Sequence, residues 1–246
     1  MNYLFKSLRL FEKLKNLEGQ RGVSNNIGSY FEKQGNIPKA LEYYYKCLKI
    51  DELTNDSLGL ANSYNILGSV AKKENELKNA LTFYSKTKTI AETLAHPYYL
   101  ATSLNNIANV YLIQFEEDSI LRNDSTLLKN ALSNYQKSLS LFKEMNNRYG
   151  VAAATYKIGT VAFVKKEYEK AKCLFKESRD QFKSINNKLS ESMALEQLAK
   201  TELLLKDFSQ AEQNELTSLK IAQEIKYPTY IQNSAETLSE IYSEIG

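Results

Sequence analysis

Tryptophan is absent from this 246-residue chain, and histidine occurs once. With only two cysteines besides, neither a His/Cys zinc site nor a disulfide framework is expected. Three prolines and nine glycines are too few for the many tight turns of an all-β chain. Long apolar runs are missing: stretches without a strongly polar residue, such as Ile158 to Val164, fall far short of the ~20 residues that span a bilayer. Charge of one sign is missing too, since 32 basic and 29 acidic residues leave +3, too near neutral for a nucleic-acid surface. There is no Gly-rich phosphate loop, no serine nucleophile elbow and no HExxH. What is present, 43% hydrophobic and 25% charged residues, is the composition of a folded chain.

The residues that are present repeat. Alanine followed four places on by an aromatic occurs at Ala40/Tyr44, Ala80/Tyr84, Ala131/Tyr135 and Ala171/Phe175; at Ala211 the aromatic is replaced by Glu215. The alanines are 40, 51, 40 and 40 residues apart. A second marker, a small residue after an aliphatic one, occurs at Ile27-Gly28, Leu67-Gly68, Ile107-Ala108, Ile158-Gly159, Leu198-Ala199 and Leu238-Ser239, with intervals of 40, 40, 51, 40 and 40. Two independent markers thus share one period and one interruption of 11 residues.

Both markers lie in helical periodicity. Tyr64, Leu67, Val70 and Ala71 recur at three and four, as do Ala40, Leu41, Tyr44, Cys47 and Leu48. Each repeat therefore reads as two helices, A and B. Gly35 and Asn36 form a helix stop and an N-cap between the first pair, and Pro38 fits the first turn of helix B. Pro97 and Pro228 fall where helix A begins. Gly28, Gly68 and Gly159 let a neighbouring helix approach, and the bulky Tyr44, Tyr84, Tyr135 and Phe175 fill the space beside them. One such pair cannot bury its apolar face alone, so the pairs must stack.

The motif Leu67-Gly68, Ala80, Tyr84 resembles the tetratricopeptide repeat. The 40-residue period exceeds that family's usual ~34 and resembles its long-helix variants, found in kinesin light chains, cell-polarity adaptors and bacterial peptide-sensing regulators. The resemblance implies an all-α, right-handed α-solenoid of antiparallel helix pairs. Full repeats are expected at 20–56, 57–96, 97–147, 148–187 and 188–227, with partial ones at 1–17 and 228–246, in one array. The departures are the missing Trp of helix A and Glu215, which predicts looser packing in the fifth repeat. An insertion between Gln114 and Leu128, polar through Glu116, Glu117, Asp118, Arg122, Asn123, Asp124 and Ser125, reads as a surface loop or an extension of the two helices. Neither end reads as a finished polar cap, so the segment is expected to belong to a longer protein.

Function is sought on helix A, which typically lines the concave wall of such solenoids. Asn25, Asn65 and Asn105 share one register, three residues before the small residue, with Asn26, Asn106 and Asn109 close by. A carboxamide offers both a donor and an acceptor, so a ladder of them suits a peptide backbone regardless of its sequence. In the resembling long-repeat families such a ladder holds an extended peptide; a solvated groove is the plainer alternative. The ladder ends at Tyr156, Glu196 and Glu236. Tyr64, Tyr156 and Met193 are candidate apolar anchors or packing residues.

Residues 1–190 hold 28 basic and 19 acidic side chains, residues 191–246 hold 4 and 10, and Glu196, Glu236 and Glu240 lie on the expected inner wall. A partner with a basic end would be oriented by them, unless they form a solvated face. Lys72-Lys73, Lys165-Lys166 and the Lys170, Lys172, Lys176 group lack the interleaved aromatics of a nucleic-acid surface. His96 reads as a turn residue, and Cys47 and Cys173 as small buried residues.

The expectation is a non-enzymatic scaffold that binds a peptide, helix or domain, with no cofactor or metal. The alternative is the sensory part of a larger bacterial histidine kinase or transcription regulator. No signal peptide is visible; the two cysteines suit the cytoplasm, and the periplasm if the segment belongs to a larger sensor.

Overall fold

The computed structural model describes residues 1–117 and 125–245, and among them are twelve helices and no strand. The chain divides into two compact units, Met1–Leu127 and Leu128–Gly246. The first contains α1 (Asn2–Lys13), α2 (Leu17–Lys33), α3 (Ile37–Leu53), α4 (Ser57–Lys73), α5 (Leu77–Thr93) and α6 (Pro97–Glu117). The second contains α7 (Ser125–Glu144, from Leu128 on), α8 (Arg148–Val164), α9 (Tyr168–Ser184), α10 (Lys188–Leu204), α11 (Phe208–Glu224) and α12 (Pro228–Ile245). Even-numbered helices are the A helices and odd-numbered ones the B helices. In each unit every A helix packs on B helices beside it, as in α4 on α3 and α5, or α10 on α9 and α11. This is the stacking of an all-α solenoid.

Each turn is built alike. One residue per turn takes positive φ: Lys15, Gly35, Asn55, Asn75 and Ala95 in the first unit, then Asn146, Lys166, Asn186, Lys206 and Lys226 in the second. The spacing within each unit is 20, a 17-residue helix plus three turn residues. The next residue donates its N–H five places back, as Asn36 does to the Phe31 carbonyl (2.9 Å) and Asn187 to that of Phe182 (3.0 Å). That same residue often caps the new helix: Asn16, Asn36, Asp56, Asn147 and Asn187 each accept from a backbone N–H three residues on, at 2.8–3.3 Å. Gly35 is the glycine stop anticipated above (φ +73), Pro38 sits in the first turn of α3, and Pro97 and Pro228 open α6 and α12.

The paired markers meet inside the repeat. A Cβ on Gly68 would lie 2.7 Å from the Tyr84 ring, and one on Gly28 the same distance from Tyr44. Gly159 and Phe175 repeat the contact at 3.0 Å. Tyr84, Tyr135 and Phe175 are fully buried. A second contact links α1 to α2 and α7 to α8, in each case a B helix to the A helix after it. Cβ atoms on Gly19 and Gly150 would collide with the rings of Phe11 and Phe142. One repeat on from each, Asp51 precedes Gly59 and Phe182 precedes Ser190; two repeats on, the sizes are exchanged, Ala91 preceding Tyr99 and Ala222 preceding Tyr230, always eight residues apart.

The first unit also contains a buried ion pair. Asp51 has no exposed surface, and it binds the Arg21 guanidinium and accepts from Ser63 Oγ at 2.5 Å. Residues Gln114–Glu117 of the insertion lengthen α6 to 21 residues, and α7 begins at Ser125. The expectation for Asp118, Arg122, Asn123 and Asp124 lies outside the described residues. His96 is the turn residue expected, its Nδ1 accepting from the Tyr99 N–H at 3.4 Å. Cys47 is buried, but Cys173 is exposed: it lies two residues past Ala171, on the outer side of α9.

Candidate ligand-binding face

The A-helix face of the first unit is assembled by the 40-residue register. Asn65 and Ser69 on α4 lie one turn apart, so they share a stripe with Lys72. That stripe meets α6, because Asn106 Nδ2 donates to Asn65 Oδ1 at 2.9 Å. Ser69 Oγ lies 3.2 Å from the Tyr84 hydroxyl, which donates to it. Asn105, the chain neighbour of Asn106, is half-buried, and its Oδ1 is buried with no hydrogen-bond donor. Asn109 is nearly buried and already engaged. Asn25 is half-buried on α2 and Asn26 exposed. Farther along α2, Glu32 accepts from the Tyr44 hydroxyl at 2.8 Å and pairs with Lys73 at 3.7 Å.

A buried carbonyl oxygen without a donor is costly, on the order of 1–3 kcal/mol. Asn105 Oδ1 is therefore an unmet acceptor, which the side chain would have to turn outward to offer to an incoming N–H. Lys72 was legible only as part of a basic pair. It is half-buried, and burial pulls its ammonium below the usual lysine range.

In the second unit Tyr156 and Met193 come together. They line a notch of about 120 Å³ with Tyr149, Ala153, Phe182 and Ser190. The Tyr156 ring is tilted on Phe175 at 5.5 Å, and burial, then the charge of Glu196 and the neighbouring Tyr230, push its hydroxyl up. Glu196 is buried and pairs with Lys200 at 2.6 Å, so much of its charge is answered within its own helix. Glu236 is exposed and accepts from Gln232 at 2.9 Å; Glu240 is exposed as well. Tyr64 does not join Asn65. It stacks on Phe83 (6.2 Å) within the core cluster around Tyr44 and Leu67, with Lys86 over its ring at 4.7 Å.

Among the described residues no group of three His, Cys, Asp or Glu is arranged to hold a metal ion, and no helix is long and apolar enough to cross a membrane.

Residues 20–93 match the tetratricopeptide repeat family profile. No curated protein sequence matches. Among solved structures, a Rap protein complexed with Competence and Sporulation Factor is 16% identical, with a TM-score of 0.76 over 97% of this chain and 67% of that one. BtubC from P. vanneervenii is also 16% identical, with a TM-score of 0.74 over 92% of this chain and 91% of that one. A signal-transduction ATPase with a tetratricopeptide repeat sensor, from Pyrococcus horikoshii, is 17% identical with a TM-score of 0.72; the match takes in 98% of this chain but only 39% of that one. At these identities the likeness is one of fold. Residues 20–93 thus carry tetratricopeptide repeats by profile, and the recurring Gly–aromatic contact and the two-helix repeat of both units give the described chain the fold of that family's solenoids.

Proposed function

We propose that this protein is a non-catalytic interaction scaffold that binds an extended peptide along the A-helix face of α4 and α6. Asn105 and Asn65 would grip the backbone of the bound chain. The observation that carries this reading is Asn105 Oδ1, without a donor on the helix whose next residue, Asn106, binds Asn65. An extended chain offers backbone N–H groups at regular intervals, and a carboxamide takes them without selecting side chains. The Tyr156–Met193 notch has the size and lining for one apolar side chain. The similar fold of a Rap protein solved with a bound factor supports a binding role for this architecture.

The test is selection of a random peptide library displayed on phage, followed by affinity measurement on Asn65→Ala and Asn105→Ala. Binding should weaken roughly tenfold or more in each variant, with far-UV circular dichroism unchanged. Undiminished affinity in both would overturn the reading.

The regulatory alternative is favoured by the likeness to the sensor-bearing ATPase, of which this chain spans 39%. A kinase, ATPase or DNA-binding region encoded in the same reading frame would decide for it.

A further inference from the structure

A carboxylate taken out of water needs a donor or a cation; one that finds neither keeps its proton or returns to water. Three of the four buried acids among the described residues are answered. Asp51 has Arg21 and Ser63, and Glu196 has Lys200. Glu202 has Asn214 at 2.7 Å and Lys172 at 3.7 Å. Glu215 is the fourth, and both of its oxygens are buried without a partner.

The helices around Glu215 offer it no relief. Its own helix, α11, packs on α10 and α12. From α10, Glu196 and Lys200 act on it with opposite sign, and Lys200 is already bound to Glu196 at 2.6 Å. From α12 comes the uncharged Ser234, whose hydroxyl is turned to Ser218 Oγ at 3.4 Å. Glu215 has no exposed surface, so once ionised it reaches water only if a helix beside it moves. The α12 side is the easier one to open. That helix buries only Ser234, Thr237, Leu238 and Ile241, whereas α10 buries Ala194, Leu195, Leu198 and Ala199 besides four polar residues.

We infer that Glu215 makes the packing of α11 and α12 a pH-sensitive latch, closed while the carboxyl is protonated and released locally when it ionises. The device is independent of the peptide reading above. Burial, the largest influence on Glu215, moves its ionisation in the closed state from pH 4.5 to about 7. The closed state therefore holds the proton more tightly than the open one. Its advantage is complete below about pH 4.5, shrinks as pH rises toward 7 and is lost above that. Across this window the ratio of open to closed rises about tenfold per pH unit, and between pH 5 and pH 8 by roughly 50-fold.

Hydrogen exchange of the whole chain, read by mass spectrometry at pH 5, 6.5 and 8, tests the latch. The unaltered protein is compared with Glu215→Gln and Glu215→Phe at each pH, so that the intrinsic pH dependence of exchange cancels. At pH 5 the amides of α11 and α12 should exchange within a few-fold of one another in all three proteins. By pH 8 those of the unaltered protein should exchange roughly 50-fold faster than in either variant, while α8 and α9 match throughout. Glu215→Phe restores the ring found at Phe175 and keeps the comparison open should Glu215→Gln fail to fold. A gap that does not grow with pH overturns the inference. So does one that grows equally in α8 and α9, because the whole chain would then be unfolding and not a latch opening.

Discussion

Replacing Glu215 by Gln should stabilise the protein at neutral and alkaline pH and leave it nearly unchanged in acid. Glu215 stands where other repeats place Tyr84, Tyr135 or Phe175, and it is as fully buried as they are. Neither carboxylate oxygen has a hydrogen-bond donor, since Ser234 Oγ is turned toward Ser218 at 3.4 Å. Burial raises its pKa from 4.5 to about 7; the nearby Ser234 hydroxyl opposes the shift more than the charge of Glu196 reinforces it, and Lys200 opposes it least. The folded protein therefore holds the proton more tightly than the unfolded chain does. The contribution of Glu215 to stability is fully present below about pH 4.5, declines as pH rises toward 7, and is lost above it. At ~1.4 kcal/mol per pH unit the full loss is about 3 kcal/mol.

Glutamine has the same shape and cannot ionise. Its amide is no better satisfied than the protonated acid, so the two proteins should be about equally stable at pH 4. Urea denaturation followed at 222 nm, at several pH values for both, measures the difference. It should grow by about 3 kcal/mol in favour of Glu215→Gln between pH 4 and pH 8. A difference that stays constant with pH would refute the argument that a buried, ionising carboxylate loosens this repeat.

Three further substitutions test the packing. Gly68→Ala should cost about 1–2 kcal/mol despite the better helix propensity of Ala, because its Cβ meets the Tyr84 ring at 2.7 Å; in a Tyr84→Leu background the cost should disappear, as read by thermal melts. Ala95→Gly should add about 0.5–1 kcal/mol in chemical denaturation, since Ala95 holds φ at +49, which only glycine adopts without strain. Asp51→Ala should cost about 2–3 kcal/mol in the same assay, because it strands the partly exposed Arg21 and empties the acceptor of Ser63.

The repeat was readable in the residues because both members of its main contact belong to the pattern. Gly68 and Tyr84 recur together at a fixed distance, so their meeting follows from the register. The left-handed turn residues were hidden. Only Gly35 announces one, and elsewhere Lys, Asn and Ala take the same conformation because the flanking helices impose it. The second contact, Phe11 on Gly19 and Phe142 on Gly150, leaves no regular mark in the chain because Asp51 and then Ala91 take the place of the aromatic in later repeats. Within the candidate site, the register of Asn25, Asn65 and Asn105 was visible in the chain. The engagement of Asn65 by Asn106 was not, because which neighbour a side chain meets is a property of three dimensions. Glu196 reads in the chain as an inner-wall charge, and Lys200, one turn away, pairs with it.

The face of α4 and α6 is tested most directly by a crystal structure with a selected peptide bound. The peptide should lie extended along that face with a backbone N–H within about 3.2 Å of Asn105 Oδ1. A peptide seated on the B helices, or one that leaves Asn105 Oδ1 untouched, would contradict the assignment.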